Sequence, residues 1–361
     1  MLDPARPFQG GGELDAESIQ IGLIGTPRSG ATGLVWSSMM ASGLRTPSER
    51  WYLDHIGGPQ HSKGDLLRYL NPSRPDDTQS GAGQPDKRSS VEFSPMISRF
   101  AVFEDLSKGG MPRWRGDVIE IFDTSSGRPA KKEDDEAGWF SQAYDHAPHI
   151  VLCHPMDYGV VGQLSDSKMA EYGEIFARLL KRCGRNAKKN GLTQLQSVAV
   201  AFTKYDLAFL GTPRQGSRQA SSPWVAREYL LRELRRVEPL RNGLRGLTEA
   251  GRVRVLGAPV SSFGFLPSDG RPNYDRWLVS DLRPPGAALM TRPDIYCLAL
   301  QRMYGSPSSS ADEEVNWLLK HWQPFLTSLP FVACISDDDH ELIFPMEDLL
   351  DAAMPRKAWS A

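Results

Sequence analysis

The chain has 361 residues, 40% of them hydrophobic and 24% charged, with a formal net charge of −2. That length supports one large or two modest cores, and so nearly neutral a chain sets up no global field toward nucleic acid or anionic membranes. Its four cysteines, Cys153, Cys183, Cys297 and Cys334, lie far apart with no C-x-x-C pair, which argues against a disulfide framework or zinc knuckle and for a reducing cytoplasmic setting.

In chain order, residues 1–17 are rich in Pro and Gly and read as a loose leader without the apolar core of a signal peptide. The run Ile19-Gln20-Ile21-Gly22-Leu23-Ile24 predicts a first strand at about 19–25, and 32–42 a helix after it. From about 55 to 92 Gly, Pro, Ser, Asp and Gln dominate, which predicts a polar insertion around a short helix at 66–70. Residues 98–104 and 115–122 flank Lys108-Gly109-Gly110 and predict an antiparallel hairpin. Further strands are predicted at about 149–153, 197–202 and 253–260. Between them, Tyr172, Ile175, Phe176, Leu179 and Leu180 form one helical stripe, and Ala226, Leu230, Leu234 and Val237 another.

Beyond Phe265 the order weakens. A helix at 313–322, a strand at 331–335 and a helix at 346–353 are predicted within a C-terminal extension, 266–361. There is no internal repeat, and no window approaches the roughly 18 uncharged apolar residues of a membrane span. Apolar strands alternating with amphipathic helices predict an α/β fold: a mostly parallel sheet with one antiparallel hairpin strand and helices on both faces.

Four loops carry the chemistry. Gly25-Thr26-Pro27-Arg28-Ser29-Gly30-Ala31-Thr32 fits the phosphate-loop pattern G-x-x-x-x-G-K-[S/T] at every defined position except Ala31, which stands in place of lysine. In such a loop the backbone amides, here through Gly33, wrap an anion at a helix N-terminus, and the Thr32 hydroxyl would reach Mg²⁺. Asp123 ends an apolar strand and can also hold Mg²⁺. The small residues Thr124-Ser125-Ser126-Gly127 after it let backbone approach a terminal phosphate. Thr203-Lys204-Tyr205-Asp206 follows a strand: the carboxylate can accept from the N1–H and N2 amine of guanine, which adenine does not offer, while the lysine stem covers the ring. Ser261-Ser262-Phe263 ends a later strand, where backbone amides could meet the guanine carbonyl.

Taken in order over about residues 19–265, these loops resemble the P-loop GTPases of the Ras-like (TRAFAC) type. The resemblance implies a G domain over 18–265, GTP or GDP and Mg²⁺ as ligands, and a molecular switch whose polar insertion falls where the family carries its first switch. It implies a protein effector or complex subunits as partners, and no nucleic acid. Thr203 replaces the family's usual asparagine, an accepted variant. The length, insertion and extension are further similar to GTPases of bacterial conflict and defence gene clusters.

The chain departs from that family at the residues that act on the phosphoryl group. Ala31 removes the lysine that neutralises charge there, and Arg28 is the cation that could partly replace it. Ser126 stands where the family has glycine, with Gly127 one residue later, and Gly127 and Arg128 stand where a water-orienting glutamine is common. Thr78, Ser89, Ser90 and Ser94 all remain candidates for the first-switch hydroxyl. GTP hydrolysis is therefore expected of a lysine-containing form and impaired here. Natural decay to a pseudo-GTPase that serves as a structural subunit and a deliberate Lys→Ala exchange both account for Ala31. An ATP-binding member of the fold is a further possibility.

Other features have simpler readings. Gly211-Thr212-Pro213-Arg214-Gln215-Gly216 echoes the phosphate loop but reads as a surface loop with no helix after it. His149, Cys153 and His154 read as packing rather than metal ligands, the tryptophans Trp317 and Trp322 as core, and Arg232-Glu233-Leu234-Arg235-Arg236 as a solvated helix face.

Overall fold

A computed structural model describes residues 18–26, 29–41, 51–57, 96–104, 113–123, 147–156, 166–184, 194–210, 215–266, 270–272, 324–336 and 340–354. The strands are β1 (Ile19–Gly25), β2 (Trp51–Gly57), β3 (Met96–Glu104), β4 (Arg113–Asp123), β5 (His149–Pro155), β6 (Ser197–Thr203), β7 (Arg254–Pro259) and β8 (Phe344–Pro345). The helices are α1 (Ala31–Ala41), α2 (Asp166–Cys183), α3 (Gly216–Ala220), α4 (Pro223–Arg236), α5 (Glu238–Glu249), α6 (Leu329–Ile335) and α7 (Met346–Ala353), with a 3-10 turn at Tyr205–Phe209.

All eight strands join one sheet in the order β2-β3-β4-β1-β5-β6-β7-β8. Its centre, from β4 to β7, is parallel. The predicted hairpin is β3–β4, antiparallel, with Arg99 opposite Glu120 and the Arg99 Nε donating to Glu120 Oε1 at 2.6 Å. Every residue of β5 and β6 is buried, which is why those strands read as continuous apolar runs rather than alternating ones. The α/β class, the mostly parallel sheet and the helices on both faces are as the sequence predicts.

Strand alternation assigns the helices to faces. His154 of β5 points to Tyr172 of α2 and Glu233 of α4. His149, five residues earlier and so on the opposite face, meets Ser197, whose hydroxyl donates to the Cys334 carbonyl of α6. Helices α2, α4, α5 and α7 pack on one another. The α2–α5 approach is close enough that a Cβ on Gly243 would meet the Phe176 ring at 2.2 Å.

Several elements differ from the sequence reading, helix α5 and edge strand β8 among them, which it did not anticipate. Residues 331–335, expected as a strand, belong to helix α6. The run Leu329-Pro330-Phe331-Val332-Ala333-Cys334 is entirely buried, so it carries no period, and Pro330 in the first turn suits a helix start. A short helix, α3, does follow the decoy glycine segment. The edge strand β2 was hidden in the start of the polar stretch, because Asp54, His55 and Gly57 dilute its apolar signal. The predicted helices at 66–70 and 313–322, with Trp317 and Trp322, lie outside the described residues.

The C-terminal elements belong to the same body as the sheet. β8 pairs antiparallel with β7, and Pro345 is tolerated because that strand is an edge. The Arg254 guanidinium caps α6 by donating to the carbonyls of Ala333 at 2.8 Å, Cys334 at 2.9 Å and Ser336 at 3.0 Å.

That end of the sheet is expected to be acid-sensitive. Burial, helped by the Arg254 cation, lowers the His149 pKa from 6.5 to about 4. The unfolded chain therefore takes up the proton first, so stability present above pH 6.5 is lost as pH falls toward 4, at about 1.4 kcal/mol per unit. Urea unfolding at pH 7, 5.5 and 4 should show this decline, and His149→Gln should flatten it. An identical decline in the variant would place the titrating group elsewhere.

Candidate functional site

Parallel pairing brings the four predicted loops to one edge of the sheet. Leu23 lies opposite Asp123, Gly25 opposite Cys153, Pro155 opposite Thr203 and Phe202 opposite Pro259. The carboxyl ends of β4 and β1, and across β5 those of β6 and β7, therefore share one edge, the place where open α/β sheets bind ligands.

The first loop is a tight cradle. Ser29 N–H donates to the Thr26 carbonyl at 2.9 Å and Leu34 N–H to Gly30 at 2.8 Å, so a turn passes directly into α1. Gly30 has φ +86, a conformation that favours glycine. A Cβ on Gly25 would lie 2.1 Å from the Ser29 Oγ, 3.0 Å from the Ser29 Cβ and 3.2 Å from the Cys153 Cβ, so close packing favours glycine at the first position of the pattern. Thr26 and Ser29 are buried, and Ala31 is 7% exposed and part of the core. Gly33 is the third residue of α1. Pro27 and Arg28, like Gly127 and Arg128, lie outside the described residues, and the placement of the Thr32 side chain does too.

Asp123 ends β4 with 2% of its surface exposed, and its charge helps push the thiol of neighbouring Cys153, already raised by burial, far up. On β6, separated from β4 by β1 and β5, the Thr203 hydroxyl donates to the Ser29 carbonyl, with the His154 carbonyl 3.2 Å away. Thr203 thus ties the guanine-type motif to the glycine loop. Lys204 is half-buried and adopts φ 61, ψ 32, a left-handed conformation costing about 1–3 kcal/mol outside glycine.

Asp206 is buried at 2% exposure, and one of its oxygens accepts from the Ser261 hydroxyl. Ser261 Oγ in turn accepts from the Gly264 N–H at 2.9 Å, while the Tyr205 N–H donates to the Val260 carbonyl at 3.1 Å. The two loops are therefore locked together, with Ser262 and Phe263 half-buried alongside. Ser261 enters this arrangement through its side chain, a contact the sequence reading did not anticipate, since it assigned to 261–263 only backbone amides facing the guanine carbonyl.

Sequence reasoning missed a buried polar chain below the cradle. The Nδ1 of His154 lies 2.7 Å from the Tyr172 hydroxyl and its Nε2 3.0 Å from Glu233 Oε2. Arg236 donates to the same carboxylate oxygen at 2.8 Å. His154 is 0% and Glu233 1% exposed, so the supposedly solvated 232–236 face contains a buried charge. Tyr172 also lies beside Thr26 of the first loop, and burial raises its phenol pKa. The only signal in the sequence was Glu233 one position from the Leu234 of the apolar stripe. Among the described residues no group of three or more His, Cys, Asp or Glu is arranged to hold a metal ion.

No protein-family profile matches the chain, and no curated protein sequence does. Among solved structures, the G domain of the T. maritima FeoB iron transporter matches at 12% identity over 71% of this chain and 92% of its own, with a TM-score of 0.25. The S. cerevisiae Ski7 GTPase-like domain bound to GTP matches at 12% identity and a TM-score of 0.34, over 82% of this chain and 52% of its own. The apo cytosolic domain of T. maritima FeoB matches at 11% identity and a TM-score of 0.26, over 93% of this chain and 98% of its own.

Proposed function

We propose that this chain is a GTP- and GDP-binding protein of the switch type, with hydrolysis impaired by Ala31. The observation that carries this reading is Asp206: a buried carboxylate, oriented by Ser261, on the same sheet edge as the glycine cradle and Asp123. The residues suit the nucleotide. Gly25 and Gly30 keep side chains out of a loop at a helix N-terminus, where backbone amides attract phosphate. Thr32 and Asp123 would hold Mg²⁺, which neutralises charge on phosphate oxygens. Asp206 would accept from the guanine N1–H and N2 amine, and the Lys204 stem would cover the ring. Nucleotide-dependent ordering of the polar insertion and of the loop after Asp123 would present a surface to a protein partner in the cytoplasm.

Asp206→Ala tests the base assignment. Guanine then loses a charge-assisted partner, so GTP affinity should fall about 100-fold while ATP affinity stays level. Competition of both nucleotides against a fluescently labelled GTP reads the ratio, and an unchanged GTP/ATP ratio would overturn the assignment. A second reading, a pseudo-GTPase serving as a structural subunit, is favoured by the placement of Ala31 in the core, which leaves that position without a cation. Retention of guanine nucleotide through purification without measurable turnover would support it.

A further inference from the structure

The turn at 324–328, far downstream of every recognised loop, is built into the candidate base site. Phe325 pairs through both backbone groups with Ser261: Ser261 N–H donates to the Phe325 carbonyl at 3.0 Å, and Phe325 N–H to the Ser261 carbonyl at 2.8 Å. Ser261 is the residue whose hydroxyl holds Asp206. The Phe325 ring stacks on Tyr205 at 6.2 Å between centroids and 30° between planes. It also meets the Phe265 ring edge-on at 5.4 Å. Tyr205 sits between Lys204 and Asp206, so one residue of the C-terminal segment braces both base-site loops, Ser261 through its backbone and Tyr205 and Phe265 through its ring.

Two further features mark the turn. Among the described residues, the non-glycine positions with positive φ are Lys204 at 61° and Leu326 at 53°. They flank the same Tyr205–Phe325 stack, and such conformations persist where the surroundings over-determine them. The Thr327 carbonyl accepts from the Ser38 hydroxyl of α1 at 3.1 Å, the helix that grows out of the glycine cradle. The turn therefore joins the base-site loops to the helix that the glycine cradle opens, at its eighth residue.

We propose that Phe325 is a positioning residue for guanine discrimination, holding Ser261 and Tyr205 so that the Asp206 carboxylate meets the base edge. The inference rests on the nucleotide reading above. Its physical content is preorganisation: a carboxylate fixed before binding loses less freedom when the base arrives. Discrimination is the specific readout, because the guanine 2-amine, absent from inosine, is felt only by a correctly aimed carboxylate.

The test uses the full chain and Mg²⁺, measuring Kd for GTP, ITP and ATP by competition. Phe325→Ala should reduce the GTP/ITP affinity ratio about tenfold, the size of one misaligned hydrogen bond, and Phe325→Tyr should restore it. ATP affinity should not move. An equal loss for GTP and ITP, or an unchanged ratio, would overturn the proposal. Hydrogen exchange of the unaltered chain supplies a readout that needs no variant. GTP should slow exchange at the Ser261 and Phe325 amides more than ITP does, and equal protection by the two would also overturn it. If neither this chain nor Ala31→Lys binds guanine nucleotide, the nucleotide reading fails and takes this one with it. If GTP binds and Asp206→Ala abolishes the GTP/ITP preference while Phe325→Ala does not, only the role of Phe325 fails.

Discussion

Replacing Ala31 by lysine is expected to tighten GTP binding by about 10- to 100-fold, the equivalent of one charge-assisted hydrogen bond of about 1.5–3 kcal/mol. Turnover should rise further, because the ammonium would stabilise charge that develops only on the transferred group. Ala31 opens α1 at 7% exposure and packs in the core, so a lysine there has two fates. With nucleotide present the ammonium would reach phosphate. Without it, a cation would be held at a buried position and the apo protein would lose stability. The signature is therefore a lower melting temperature for apo Ala31→Lys together with a larger upward shift on adding Mg²⁺-GTP. Calorimetric titration and thermal melts of both proteins, with and without nucleotide, measure it. Equal affinities and equal shifts would mean that residue 31 does not face bound phosphate.

Much of this arrangement was legible in the sequence, for physical reasons that differ by element. The first strand and its loop announced themselves because Gly25 and Gly30 answer steric demands: a Cβ at Gly25 would strike Ser29, and Gly30 has positive φ. Asp206 was legible as the last residue of Thr203-Lys204-Tyr205-Asp206, a polar tetrapeptide at the end of a continuous apolar strand. Ser261 was legible only as a turn, since its bond to Asp206 spans 55 residues. The brace from Phe325 could not be read at all. Its partners are backbone groups and aromatic rings at least 60 positions away, and no local pattern encodes such a contact. Residues 331–335 misled because a fully buried apolar segment has no polar face from which to take a period. His154 and Glu233 were hidden for the opposite reason: each looked ordinary among its neighbours, and only the crossing of β5 by α2 and α4 makes them a pair.

That pair carries the largest stability effect expected of a single side chain here. Glu233→Ala should cost about 3 kcal/mol, because it strips the shared acceptor from the buried His154 Nε2 and from the partly exposed Arg236 guanidinium. Burial opposes ionisation of Glu233, but hydrogen bonds from His154 and Arg236 outweigh it and hold the carboxyl below its ordinary pKa of 4.5. The folded form thus releases this proton more readily than the unfolded one. The resulting stability is present above the unfolded pKa and disappears as pH falls through the folded value. Glu233→Gln keeps an acceptor of similar shape, so it should lose less than the alanine variant and lose this part of the acid dependence. Urea unfolding at pH 7 and across pH 5 to 3 separates the three proteins. The damage should also reach the cradle, because the His154 carbonyl faces the Thr203 hydroxyl that holds Ser29, and Tyr172 joins His154 to the side of Thr26. Hydrogen exchange at Ser29 and Gly30 in Glu233→Gln, compared with the parent at equal global stability, reads that coupling. Faster exchange confined to α4, with an unchanged loop, would show that the buried chain supports the helix and not the cradle.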